Sequence, residues 1–96
     1  MKDSEILKQA RKLISKRKEK YICAAIQMSE GGDEQKIELH VWIIKMLEGY
    51  ASLGGWLWNV QNIPYNQQSY SEDHRIVRLR WLDWMIKECK KAEAKA

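Results

Sequence analysis

The sequence predicts a small all-α domain of three to four helices, and three observations carry that expectation. Residues 3 to about 18 hold Ile6, Leu7, Ala10, Leu13 and Ile14 at i, i+1, i+4, i+7 and i+8, one apolar stripe of an amphipathic helix. Residues 69–72 read SYSE, the S-x-x-E pattern of a capping box, ahead of a long apolar run. The chain has 96 residues, enough for one core and not two, so residues 1–96 are expected to form a single domain.

In the first helix Asp3 or Ser4 is available as the cap, and the polar side carries a basic cluster. Residues 21–28, YICAAIQM, place β-favouring side chains first and alanines after, which suits an extended lead-in to a short buried helix. SEGGDEQ, residues 29–35, supplies Gly31 and Gly32 to stop that element and Asp33 to cap the next.

Residues 36–42, KIELHVW, alternate as a half-buried strand would, yet IIKMLEGY breaks the alternation, so residues 33 to about 53 are expected as one helix. Glu38, Lys45 and Glu48 share one arc of it, while Lys36 and His40 lie roughly opposite, so this helix is expected to be covered on more than one side. Any sheet is limited to a minor pair of short strands around Tyr21 and Lys36. Gly54 and Gly55 then stop the helix, and residues 59–73, which hold the single proline, form a loop longer than the roughly 4 to 6 residues usual for a connection.

The last helix should run to about Ala92, with Ile76, Val77, Leu79, Trp81, Leu82, Trp84, Met85, Ile86 and Cys89 around more than half its circumference. Arg80, Asp83, Lys87 and Lys90 form its narrow polar strip, and the tail from about 91 to 96 should fray. Two helices thus carry more apolar surface than a small core consumes. A central position would account for residues 33 to about 53, and an oligomer or partner interface for Val77, Trp81 and Trp84.

Hydrophobic residues make up 45% of the chain and charged ones 31%, the balance of a folded, water-exposed protein. The net charge of +4 favours anionic partners. Cys23 and Cys89 sit far apart in apolar surroundings, as buried free thiols in a reducing compartment would. Neither a membrane-spanning run nor a signal peptide is recognisable, so a cytoplasmic location is expected.

His40 and His74 have no sequence neighbours that form a nucleophile, metal or phosphate motif, so no enzyme, cofactor or metal site is expected. Binding is the better fit. Trp56, Trp58, Tyr65, Tyr70, His74, Arg75 and Arg78, with amide side chains between them, offer flat faces for stacking and guanidinium forks for phosphate. The structural alternative is that at least one of Trp56 and Trp58 plugs a helix end. A second candidate is a nucleic-acid surface of Lys8, Arg11, Lys12, Lys16, Arg17 and Lys18, whose bland reading is a set of solvated side chains on a helix.

YICAAI at 21–26, Leu53-Gly54, Trp56-Leu57-Trp58 and the closing RLRWLDWMI at 78–86 resemble a group of small phage and prophage accessory proteins over most of the chain. The resemblance implies a phage protein in the cytoplasm of an infected bacterium, a setting in which small proteins act against host defence. The function expected from it is non-enzymatic: a homo-oligomer that sequesters a nucleotide immune signal or occludes a host defence protein. The alternatives are nucleic-acid binding through residues 8–20 and a role as a phage structural or assembly component.

Overall fold

The computed structural model describes residues 1–52 and 72–95, and among these the chain forms four α-helices and no strand. They are α1 (Asp3–Ser15), α2 (Ile22–Met28), α3 (Asp33–Ser52) and α4 (Glu72–Lys95). The all-α class is as expected, and the minor strand pair is not found among the described residues. Tyr21 is extended, with φ −112° and ψ 139°, but it serves as the N-cap of α2. Lys36 lies inside α3, where its N–H donates to the Gly32 carbonyl at 3.1 Å.

One core joins all four helices. Ile6, Leu7, Ala10 and Ile14 of α1 meet Ile22, Ala25 and Ile26 of α2, Leu39 and Ile43 of α3, and Trp81, Leu82, Met85, Ile86 and Cys89 of α4. Helices α1 and α4 run antiparallel, fixed by a ladder of polar pairs: Ser4 with Glu93, Arg11 with Asp83 and Arg17 with Glu72.

The ends of α1 show why these two helices hold together. The residue at its N-cap is Lys2, which makes no side-chain cap, so neither Asp3 nor Ser4 acts as the cap expected from sequence. Instead the Ser4 N–H and hydroxyl donate to the Glu93 carboxylate at 3.1 and 2.8 Å, which places an anion at the positive end of the α1 dipole. At the other end the Arg75 guanidinium donates to the Ser15 carbonyl at 3.3 Å, a cation at the negative end. Helix α4 therefore caps α1 at both termini with the charges its dipole favours.

Helix α1 stops at Ser15, about three residues short of the expected 18. Lys16 is the C-cap, and Arg17 turns left-handed with φ 58°. The Arg17 N–H donates to the Ile14 carbonyl at 3.1 Å and the Lys18 N–H to the Leu13 carbonyl at 2.9 Å, the two bonds of a Schellman motif. A glycine usually occupies that left-handed position, so its absence hid the stop from a reading based on periodicity.

Helix α2 follows the expected short buried form and ends where the Ser29 hydroxyl donates to the Ala25 carbonyl at 2.8 Å. The reversal into α3 needs Gly31, whose φ of +122° disfavours any side chain and whose added Cβ would lie 3.2 Å from Ile6 Cδ1. Asp33 is the first helical residue of α3 rather than its cap, and with Glu34 it puts acid in the first turn.

Helices α3 and α4 both depart from the roles expected of them. On α3, Leu39 and Ile43 are buried and Trp42 and Met46 half-buried, but Ile37, Val41 and Ile44 on the opposite side are 64%, 48% and 46% exposed. On α4, Arg78, Trp81, Leu82, Met85, Ile86 and Cys89 are all buried, at i, i+3, i+4, i+7, i+8 and i+11. Trp81, expected at an oligomer interface, is instead in the core at 1% exposure, and Trp84 is half-buried against that core. The polar strip of Arg80, Asp83, Lys87 and Lys90 is exposed as expected. The tail expected to fray from about residue 91 is helical to Lys95, because Glu93 is tied to Ser4. Among the described residues no helix is long and apolar enough to cross a membrane.

Candidate functional site

Of the aromatic and arginine site expected after α3, Trp56, Trp58, Tyr65 and Tyr70 lie outside the described residues. His74 and Val77 belong to α4, and their side chains lie outside the description. The two arginines have structural work. Arg75 is held by Glu72 at 2.9 and 2.6 Å while it caps α1, and its side chain is only 14% exposed. Arg78 is fully buried, with its guanidinium 5.3 Å from the centre of the Tyr21 ring, a cation–π contact from α4 to the residue that opens α2. Arg78 is thus held in the core, and Arg75 is engaged by Glu72 and the end of α1.

The Arg75 hydrogen bond, with a further one from Arg17, holds the Glu72 carboxyl below its ordinary pKa range. For Glu93 burial raises the pKa, but the two hydrogen bonds from Ser4 together with the charges of Lys2 and Lys8 outweigh it and the net shift is downward. Both carboxylates are thereby kept ionised where they serve the α1–α4 ladder. Cys89 is buried and its thiol is pushed up to about 12, first by burial and then by Asp3, Glu93 and Glu88, so it is a core residue and not a nucleophile. Cys23 is half-buried rather than buried. His40 is half-buried, and that burial lowers its pKa. Among the described residues no three His, Cys, Asp or Glu side chains converge as a metal site would need.

The basic cluster divides. Arg11 forks onto Asp83, with Nε to Oδ1 at 2.5 Å and Nη2 to Oδ2 at 3.3 Å, and Arg17 reaches Glu72 at 2.8 Å. Both arginines therefore serve the helix ladder before any partner. Lys8 stands beside Lys90 of α4, close enough to lower the Lys90 pKa.

Lys12, Lys16 and Lys18 remain exposed, and they surround an open cleft of about 440 Å³ whose other walls are Gln9, Leu13, Met28 and Glu30. The Schellman turn that ends α1 carries Lys18 out of the helical path, while Lys16 still donates its N–H to the Lys12 carbonyl at 3.0 Å, and both line the cleft. The Glu30 N–H donates to Gln9 Oε1 at 2.9 Å, which pins the far wall to α1. Cations thus stand beside the half-buried Leu13 and the 59% exposed Met28.

Sequence reasoning named Lys12, Lys16 and Lys18 but missed Leu13 and Met28 as their apolar neighbours, because a cleft between α1 and the turn after α2 has no linear signature. It also missed the exposed stripe of α3, although Ile37, Val41 and Ile44 recur at i, i+4 and i+7. No protein-family model matches this chain, and no curated protein or solved structure shows significant similarity to it.

Proposed function

We propose that the protein acts by binding, not catalysis, and that its partner is a phosphate-bearing nucleotide held in the cleft of Lys12, Lys16 and Lys18. The observation that carries this reading is the composition of that cleft: three exposed ammonium groups against the single carboxylate of Glu30, beside Leu13 and Met28. Ammonium groups attract phosphate oxygens, while a base or nicotinamide ring can lie on the apolar wall. A volume of about 440 Å³ lies within the roughly 300–1,000 Å³ common for small-molecule sites. In the phage setting implied by the sequence resemblance, the corresponding role is sequestration of a nucleotide immune signal of the host, with occlusion of a defence protein as the other route to the same end.

A thermal-shift series with cyclic nucleotides and nicotinamide-derived nucleotides tests this. A rise in melting temperature that disappears in the triple variant Lys12→Ala, Lys16→Ala, Lys18→Ala supports the proposal. No rise with any of them sinks it and turns attention to a protein target.

A second reading, nucleic-acid binding, is favoured by one observation: Lys8, Lys12, Lys16 and Lys18 are all exposed along one edge of α1 and its terminal turn. Such binding is steeply salt-dependent. Failure of both duplex and single-stranded DNA to bind at about 50 mM salt, where nonspecific attraction is strong, removes this reading.

A further inference from the structure

From the exposed face of α3 we infer that two copies of this chain pair through that helix in antiparallel orientation. The inference goes beyond the nucleotide proposal and uses none of its residues.

Ile37, Val41 and Ile44 form a stripe at i, i+4 and i+7, and each is about half exposed or more. They lie opposite Leu39 and Ile43, so the core formed by the described residues does not reach them. Three β-branched side chains in a row on a water-facing helix surface are a patch to be covered. The charges beside the stripe indicate what covers it. Glu34, Glu38 and Lys45 are exposed along the same flank, acids toward the start of the helix and the base toward its end.

In an antiparallel pair whose two-fold axis passes near His40 and Val41, Ile37 of one copy meets Ile44 of the other and the two Val41 side chains meet at the centre. The same register brings Lys45 of each copy to within about 3 Å of rise of the level of Glu34 and Glu38 on its partner, within reach of long side chains. Symmetry makes that contact twice, as an isologous interface requires. Antiparallel alignment also opposes the two helix dipoles. The surface is therefore complementary to itself in charge as well as in shape. Three side chains bury much less than the roughly 800 Å² per partner of a standard interface, so the pair is weak and concentration-dependent.

Sedimentation velocity from about 5 μM to about 0.5 mM tests this, a range that spans weak self-association. The expected result is a reversible monomer–dimer equilibrium, shifted at least about tenfold toward monomer by Val41→Lys, whose fold is checked by far-UV circular dichroism. Glu38→Lys and Lys45→Glu singly weaken the dimer, and the double variant recovers part of the loss because the pair is re-formed with its signs exchanged. A monomer across the whole range overturns the inference. So does a dimer that is indifferent to Val41→Lys and to both charge reversals.

Discussion

Helices α3 and α4 have similar sequences in one respect, since both carry apolar side chains around much of their circumference, yet they occupy opposite positions in the molecule. Helix α4 leaves Ile76 exposed at its start and spends the rest of its described apolar arc on the core: Trp81, Leu82, Met85, Ile86 and Cys89 are buried and Leu79 and Trp84 half-buried. Helix α3 buries Leu39 and Ile43 and leaves Ile37, Val41 and Ile44 in water. The difference comes from their neighbours. Helix α4 lies along the full length of α1, held at Ser4, Arg11, Ser15 and Arg17, and packs its stretch from Trp81 to Cys89 into the core there. Among its described residues α3 is tied at its beginning, where Gln35 donates to the Met1 carbonyl and to Asp3 Oδ1 and the Lys36 ammonium donates to the Gln27 carbonyl at 2.8 Å. Apolar content alone does not say how much of a helix the core covers; the surface that packs on it does.

The comparison is sharpest in paired truncations. Trp81→Ala in α4 should lower stability by about 3–5 kcal/mol, the usual cost of a large core cavity. Val41→Ala in α3 should stay within about 0.5 kcal/mol. Urea denaturation of both variants measures the contrast, and similar losses for the two would dissolve it.

Gly31→Ala probes how α3 is delivered to the core. A side chain at φ +122°, with its Cβ 3.2 Å from Ile6 Cδ1, should cost about 1–3 kcal/mol. An unchanged melting temperature would show that the turn relaxes freely.

The clamp that α4 places on α1 is worth less but is specific. Ser4→Ala removes a buried hydroxyl bonded to Glu93 and should cost about 1 kcal/mol. Glu93 has a folded pKa below its ordinary 4.5, so its contribution is complete above that value and disappears as pH falls through the lower folded value. Stability should therefore decline on acidification below about pH 4.5, and Glu93→Gln should flatten part of that decline. A variant whose acid limb overlays the parent's would remove Glu93 from the account.

The smallest effect concerns chemistry and not stability. With its thiol pushed up to about 12 in the core, Cys89 should resist alkylation in the native protein and react only as the chain unfolds. Rapid native labelling of Cys89, read by peptide mass spectrometry, would place it outside the core of α4.

Much of the fold was legible in the linear pattern. The stripe of Ile6, Leu7, Ala10 and Ile14 specifies α1, and the broken alternation after Trp42 distinguishes a long helix from a strand. Helical periodicity and hydrophobic content are local properties, so these elements and the all-α class were determined by the sequence itself. Tertiary structure decided the rest. Lys18 joins Lys16 on the cleft because Arg17 turns left-handed, a conformation its residue type does not advertise. Arg75 and Arg78, which read as ligand-binding forks, are spent on the end of α1 and on the Tyr21 ring, because their neighbours lie far away in the chain. That α4 rather than α3 buries most of its apolar face has the same origin: burial is conferred by what packs on a side chain, and only the folded arrangement of α1 against α4 supplies that.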